Sequence, residues 1–407
     1  MTFRIATAAV VAGTGAGLVA VPALAGDGER RPAPVRGQLV SFKHLRAMSA
    51  QQVGAWLASE GFDAGTVRHG VDTYRLTYRT VDVRKRPTTA TGLLVLPRTK
   101  ARTLRTVSYA HGTTSHKPDA PSMAEDVWGP GAAVTYGSAG YAAVAPDYLG
   151  LGGGPGVHPW KDVPSETTAS LDMLRAARHF APKAGRKLER QVMVTGFSQG
   201  ASAALGLARA LQDGADPWFR VRAIAPISGG YDFKGAQLPA LVNGKLHPKM
   251  SVAYSAYLLT SWNRIHGLYR SPSEVFKAPY AGRVEKYFDS TTPGEVMLKG
   301  LPDKLGQLLT PRGWEMLRHP SGRFAQALRV DASIMHWTPK APVRLYKISK
   351  DEQATTANTD HLRAALRARG VDAPVIDVGD KLYGGSRHLG SNLSGTALTV
   401  RWFQSLR

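Results

Sequence analysis

Val192-Met193-Val194-Thr195-Gly196-Phe197-Ser198-Gln199-Gly200-Ala201-Ser202-Ala203-Ala204-Leu205 reads as an apolar strand, a G-x-S-x-G turn and the start of a small-residue helix. A sharp strand-to-helix turn of this kind pushes the serine side chain clear of the backbone, where a base and a substrate carbonyl can both reach it. Gly196 and Gly200 flank it because a side chain at either position would collide with the neighbouring strand or helix. In a chain with 43 glycines five residues alone are a weak signal. The strand before them and the helix after them give the match its weight, and Ser198 is the candidate nucleophile.

Short apolar runs recur around this stretch, at residues 105–110, 141–145, 191–195, 221–227 and 343–348. They have the character of strands buried on both faces, as in a parallel sheet. Helical spacing fills intervals between them, notably over 165–180 and 199–211. This alternation predicts a mostly parallel, doubly wound α/β sheet whose ligand site lies outside the carboxyl ends of the strands. Ahead of it, residues 67–97 alternate in strand fashion about a turn at 84–87, so that 74–78 and 91–96 pair as an antiparallel hairpin. Residues 231–341 break the alternation and are too many for a structureless loop. Their helical patches and aromatics predict a mostly helical cap inserted between two sheet strands.

Ser198 needs a base to take its proton, and the base needs an acceptor to fix its tautomer. In chain order these partners follow as acid, then histidine. Asp351 stands just past the strand at 343–348, with Glu352 as the adjacent alternative. Downstream lie His361, at the start of a helical stretch, and His388, in the glycine-rich segment after a strand at 375–378 and before a final helix. His388 is the preferred base. The oxyanion of a tetrahedral intermediate needs preorganised donors, expected from the backbone N–H of Gln199 and from the loop His111-Gly112-Thr113-Thr114. There Thr113 is preferred and Gly112 is the alternative, while His111 orders the loop.

With 407 residues and 43% hydrophobic content the chain can bury a large core. Residues 1–25 combine Arg4, an uncharged stretch from Ile5 to Val21, and a small-residue site at Ala23-Leu24-Ala25, the pattern of a secretory signal peptide. A membrane anchor is the competing reading, but Gly13, Gly15 and Gly17 interrupt the stretch, which falls short of the roughly 20 apolar residues a span needs. Residues 26–37, rich in Pro and Arg, read as a linker, and 38–407 as the folded domain. The expectation is a secreted protein with no transmembrane segment in its mature chain.

The absence of cysteine removes disulfides and thiol catalysis. No H-E-x-x-H motif occurs and the 12 histidines show no clustered spacing, so neither a metal nor another cofactor is expected. The loop from Gly150 to Gly156 lacks the Gly-Lys-Ser/Thr of a phosphate loop and reads as a flexible loop beside the site. A formal net charge of +22 favours weak association with anionic surfaces. The basic residues are scattered rather than gathered, and no nucleic-acid-binding motif is present.

These residues resemble the bacterial secreted esterases and lipases of the α/β-hydrolase superfamily, related to the secretory lipases. The likeness rests on Tyr109-Ala110-His111-Gly112-Thr113, Ala145-Pro146-Asp147-Tyr148-Leu149-Gly150-Leu151-Gly152, Gly196-Phe197-Ser198-Gln199-Gly200, and Leu345-Tyr346 followed by Asp351-Glu352. It implies an α/β-hydrolase fold over 38–407 and hydrolysis of small-molecule or lipid esters by Ser198, Asp351 and His388. A serine peptidase of the same fold, aminopeptidase-like, is the alternative enzyme; it would need a charged group in the cap, such as Glu274, Glu285 or Glu295, to hold a peptide terminus. A non-enzymatic binder of anionic surfaces is the third reading.

Overall fold

A computed structural model describes residues 35–406; the expected signal peptide and most of the linker lie outside the described residues. Among the described residues nine strands form one sheet: β1 (Leu39–Met48), β2 (Val71–Val81), β3 (Pro87–Pro97), β4 (Thr103–Ala110), β5 (Ala142–Pro146), β6 (Lys187–Phe197), β7 (Arg220–Ile227), β8 (Leu345–Lys347) and β9 (Val375–Asp377). Their spatial order is β1-β2-β3-β5-β4-β6-β7-β8-β9. Strands β1 to β3 are antiparallel and β3 joins β5 in the same sense, whereas every pair from β5 to β9 is parallel. The hairpin read from the sequence pairs Tyr74 with Leu94 and Tyr78 with Ala90.

The parallel strands read as unbroken apolar runs because both faces are covered. On one face Ala142, Val144, Val192 and Val194 pack with Leu171 and Leu174 of the helix Val163–Phe180 and Leu205 of the helix Gln199–Gln212. Their sequence neighbours Ala143, Ala145 and Met193 face the other way, against Tyr136 of the helix Trp128–Ser138 and Val400 and Phe403 of the helix Arg387–Ser405. The edge strand β1 carries no such signal. Val40 and Phe42 are about half exposed, and bulges interrupt its pairing, so no clean alternation marks it in the sequence.

Between β7 and β8 the chain runs through a series of helices, the longest being Pro248–His266 and Gly322–Ala332. Pro248 opens the first, where its missing N–H costs nothing, and Gly267 ends it at φ +62°. Val252, Ala256 and Leu259 bury one stripe of this helix in a separate apolar cluster with Phe276, Leu308 and Leu328. Trp160, from the sheet side, belongs to the same cluster. Beside it a buried ion pair, Lys161 Nζ to Asp331 Oδ1 at 3.1 Å, ties the insertion to the loops above the sheet. Among the described residues no helix is long and apolar enough to cross a membrane.

Candidate active site

Strand β6 ends at Phe197 and the helix Gln199–Gln212 starts two residues later, leaving Ser198 alone in the turn. Its backbone sits at φ +56° and ψ −118°, a conformation costing a non-glycine residue about 1–3 kcal/mol. The flanking glycines make the turn possible. A Cβ on Gly196 would stand 2.2 Å from the carbonyl oxygen of Gly200, and one on Gly200 2.0 Å from that of Ala110. The turn is held open towards the carboxyl ends of the strands by the Ser198 N–H, which donates to the Ile227 carbonyl at 2.9 Å.

The structure brings Ser198, His388 and Asp351 into one hydrogen-bonded chain. Ser198 Oγ is 2.8 Å from His388 Nε2, and His388 Nδ1 is 2.8 Å from Asp351 Oδ2. A carboxylate only accepts, so Nδ1 carries the proton and Nε2 is left to accept from the serine hydroxyl. The other oxygen, Oδ1, accepts the backbone N–H groups of Gln353 and Ala354 at 2.9 and 2.8 Å, which fixes the carboxylate plane. All three side chains are buried, with Ser198 and Asp351 at the limit of solvent contact and His388 beneath them.

His388 differs in one respect from the sequence reading. It stands in the first turn of the helix Arg387–Ser405, not in the glycine-rich loop before it. Two partners start the helix early. Ser386 caps it by accepting from the Leu389 N–H at 3.1 Å, and the Glu352 carboxylate accepts from the Arg387 and His388 N–H groups at 3.2 and 3.3 Å. Glu352 therefore faces the backbone that carries His388, while Asp351 faces the ring. Burial alone would raise the Glu352 carboxyl, but the hydrogen bonds from Ser386 and from the His388 amide hold it below the ordinary glutamate value. His361, the other downstream histidine, is exposed and pairs with Asp232 at 2.8 Å.

Among the described residues, the backbone N–H groups of Thr113 and Gln199 donate to no other group. Their side chains are pinned. Trp160 Nε1 donates to Thr113 Oγ1 at 3.0 Å. Gln199 Nε2 donates to Glu166 Oε1 at 2.7 Å and to His158 Nε2 at 2.9 Å, while His158 Nδ1 donates to the Leu149 carbonyl at 2.9 Å. Burial pulls His158 down to about 3, so the ring is neutral and free to accept, and pushes Glu166 up to about 8 against the opposing pull of Lys161. His111 orders its loop: Nδ1 donates to the Gly112 carbonyl at 2.7 Å, and Tyr148 O–H donates to the His111 carbonyl at 3.0 Å. Burial holds the His111 ring below its ordinary value.

The loop Gly150 to Gly156 is packed at its start and exposed at Gly153, Pro155 and Gly156. Gly150 turns at φ +72° where a Cβ would meet the Val157 carbonyl carbon at 2.2 Å, Leu151 is fully buried, and the loop delivers His158 to Gln199. Neither His158, Glu166 nor Trp160 had a spacing signature in the sequence, since each acts through contacts made only in the folded chain. The same holds for Trp128, which stacks on Tyr383 at 4.4 Å beside the site.

Ser198 opens onto a cleft of about 320 Å³ lined by Gly112, Thr113, Trp128 and His388 and reaching Asp119 and Asp126. Glu274, Glu285 and Glu295 do not line it. Glu274 pairs with Arg312 and Glu285 with Arg264 within the insertion, and Glu295 lies 3.8 Å from Lys299.

The sequence matches no family model and no curated protein. Solved structures do match it. A variant of the rice cell wall degrading esterase LipA from Xanthomonas oryzae aligns with a TM-score of 0.81 at 24% identity, covering 92% of this chain and 100% of its own. Candida antarctica lipase A aligns with a TM-score of 0.59 at 14% identity, covering 84% of this chain and 76% of its own. The resemblance to esterases and lipases read from the sequence thus has its counterpart in three dimensions, and the chain has the α/β-hydrolase fold.

Proposed function

We propose that the protein is an exported serine carboxylic-ester hydrolase working through an acyl-enzyme. The observation that carries this reading is the chain Ser198–His388–Asp351, with both links at 2.8 Å, together with the backbone N–H groups of Thr113 and Gln199, which donate to no other group among the described residues. Esterases and lipases among the structural neighbours support ester chemistry. Ser198 Oγ attacks the ester carbonyl carbon as its proton passes to His388 Nε2, and the carbonyl oxygen, now negative, accepts from Thr113 and Gln199 N–H. The carbon–oxygen bond to the alcohol then breaks, and the proton on Nε2 leaves with the alcohol oxygen. Water enters, gives a proton to Nε2 and attacks the acyl carbon; the proton returns to Ser198 Oγ as the acid departs. Asp351 holds the imidazole in register and stabilises its cationic form. Release into an exported location rests on the signal-peptide pattern of residues 1–25.

Ser198→Ala should lower kcat on p-nitrophenyl acetate by about 10⁴-fold or more and abolish labelling by a fluorophosphonate probe. Full activity in this variant would overturn the reading. An amino-acid amide cleaved faster than the ester would move the protein to the peptidase alternative.

A further inference from the structure

Ser198 borders two spaces of unequal size. The cleft of about 320 Å³ reaches Asp119 and Asp126, both exposed. Adjoining it at Ser198 is a smaller space of about 30 Å³, walled by Trp160, Lys161, Gln199, Phe233 and Gln237 and by Thr113, Tyr254 and His388, which line the cleft as well. Every wall residue is buried or half-buried. A space of that size accommodates one or two water-sized groups, since one needs at least about 10–15 Å³ on this measure.

Turnover decides which space holds which half of the substrate. The alcohol must leave and a water must reach the acyl carbon beside His388 while the acyl group stays bonded to Ser198. The cleft, with its exposed carboxylates, gives that exchange a route to solvent. The small space, walled by buried and half-buried groups, leaves too little room for that exchange and suits the half that stays. Resting on the ester-hydrolase reading above, we infer that the small cavity is the acyl site and that the enzyme selects acyl chains of two or three carbons, acetyl and propionyl esters.

The walls are cross-tied, so a longer chain cannot push them back cheaply. The Trp160 ring stacks on Tyr257 at 4.8 Å and on Tyr254 at 5.8 Å while its Nε1 holds Thr113 Oγ1. Lys161 Nζ is engaged by Ser202 Oγ at 2.9 Å, the Gly230 carbonyl at 3.0 Å and Asp331 at 3.1 Å. Gln237 Nε2 donates to the Gln353 carbonyl at 2.7 Å, and Tyr254 O–H to Gln353 Oε1 at 2.6 Å. Displacing any of these strands a buried polar group. Trp160 has a double part: it bounds the acyl space and anchors the loop that carries the Thr113 N–H. An over-long acyl chain that shifts Trp160 therefore disturbs oxyanion binding as well, and lowers kcat along with affinity.

The test uses the purified full chain and p-nitrophenyl acetate, propionate, butyrate and octanoate below their solubility limits, so that the leaving group is constant and only the acyl side varies. Acetate and propionate should have similar kcat/KM, butyrate should fall by about tenfold, and octanoate by about a hundredfold or more. Phe233→Ala should raise butyrate and octanoate relative to acetate by about tenfold. Gly230→Ala brings a Cβ to 3.3 Å from the Phe233 ring and should lower propionate relative to acetate. If Phe233→Ala does not fold, the wild-type profile and Gly230→Ala still decide. Octanoate turned over as fast as acetate, in a reaction that Ser198→Ala abolishes, would overturn the acyl assignment and leave the ester-hydrolase reading standing. Hydrolysis that survives Ser198→Ala would instead remove that reading itself. Methyl octanoate cleaved faster than acetate esters of bulky alcohols would reverse the two spaces and overturn the proposal.

Discussion

Asp351 and Glu352 are adjacent carboxylates with different partners: the first meets the His388 ring at 2.8 Å, the second the N–H groups that begin its helix. The sequence could nominate the pair but not divide the work, because the direction of each side chain is set by the turn after β8, where Lys350 takes φ +58°. Asp351→Asn keeps the shape but offers His388 Nδ1 an amide that can donate, which favours the wrong tautomer. It should lower kcat by about 10⁴-fold. Glu352→Gln keeps two acceptor lone pairs for the helix and should lower kcat by about tenfold at most, a difference measurable on p-nitrophenyl acetate. The reverse ranking would mean that Glu352 serves the imidazole. Thr113 and Gln199 could be nominated from local sequence because their N–H groups lie beside a strand end and a strand-to-helix turn. His158, Glu166 and Trp160, which hold them, could not be, because their contacts span 41, 33 and 47 residues.

At the scale of elements, legibility followed burial. Strands β4 to β7 have helices on both faces and read as apolar runs, whereas β1, half exposed at the edge, did not register. The start of the final helix is not legible in the local sequence because part of its cap, Glu352, comes from beyond β8. Two other helices, Val163–Phe180 and Gln199–Gln212, meet through Glu166 and Gln199 and leave a buried carboxyl in the joint. Burial pushes Glu166 up to about 8 from an ordinary 4.5, so between these values the folded chain holds a proton that the unfolded chain has released. With fewer protons bound when unfolded, stability falls as pH rises through that window, and the loss is complete above the folded value. Glu166→Gln has no proton to lose. Between about pH 5 and about pH 9 its Tm should fall less than that of the wild type, by a margin of about 2 °C or more. Asp331, pushed up to about 6 by burial, is present in both proteins, and its charge adds to the rise in Glu166. Equal Tm shifts would show that Glu166 ionises in the folded state as freely as in the unfolded one.

For the whole molecule the open quantity is charge. The chain carries 52 Lys and Arg against 30 Asp and Glu, and with no disulfide available its stability rests on the packed clusters of sheet and insertion. The excess is spread along the sequence, yet the cleft beside Ser198 is reached by the carboxylates of Asp119 and Asp126. A strongly basic molecule is drawn to anionic surfaces, but like charge turns this acidic rim away from them. Adsorption and catalysis should therefore be separable. Vesicles containing anionic lipid should sediment the protein at low ionic strength and release it at about 0.5 M NaCl, where the screening length is only a few ångströms. Neutral vesicles should not bind it. Throughout, kcat/KM on p-nitrophenyl acetate should stay within about twofold of the vesicle-free value, because adsorption through basic residues away from this rim leaves the cleft open. Salt-insensitive binding would point to an apolar contact instead. A loss of hydrolysis that tracks adsorption would mean that the cleft mouth faces the membrane, against the charge of its own rim.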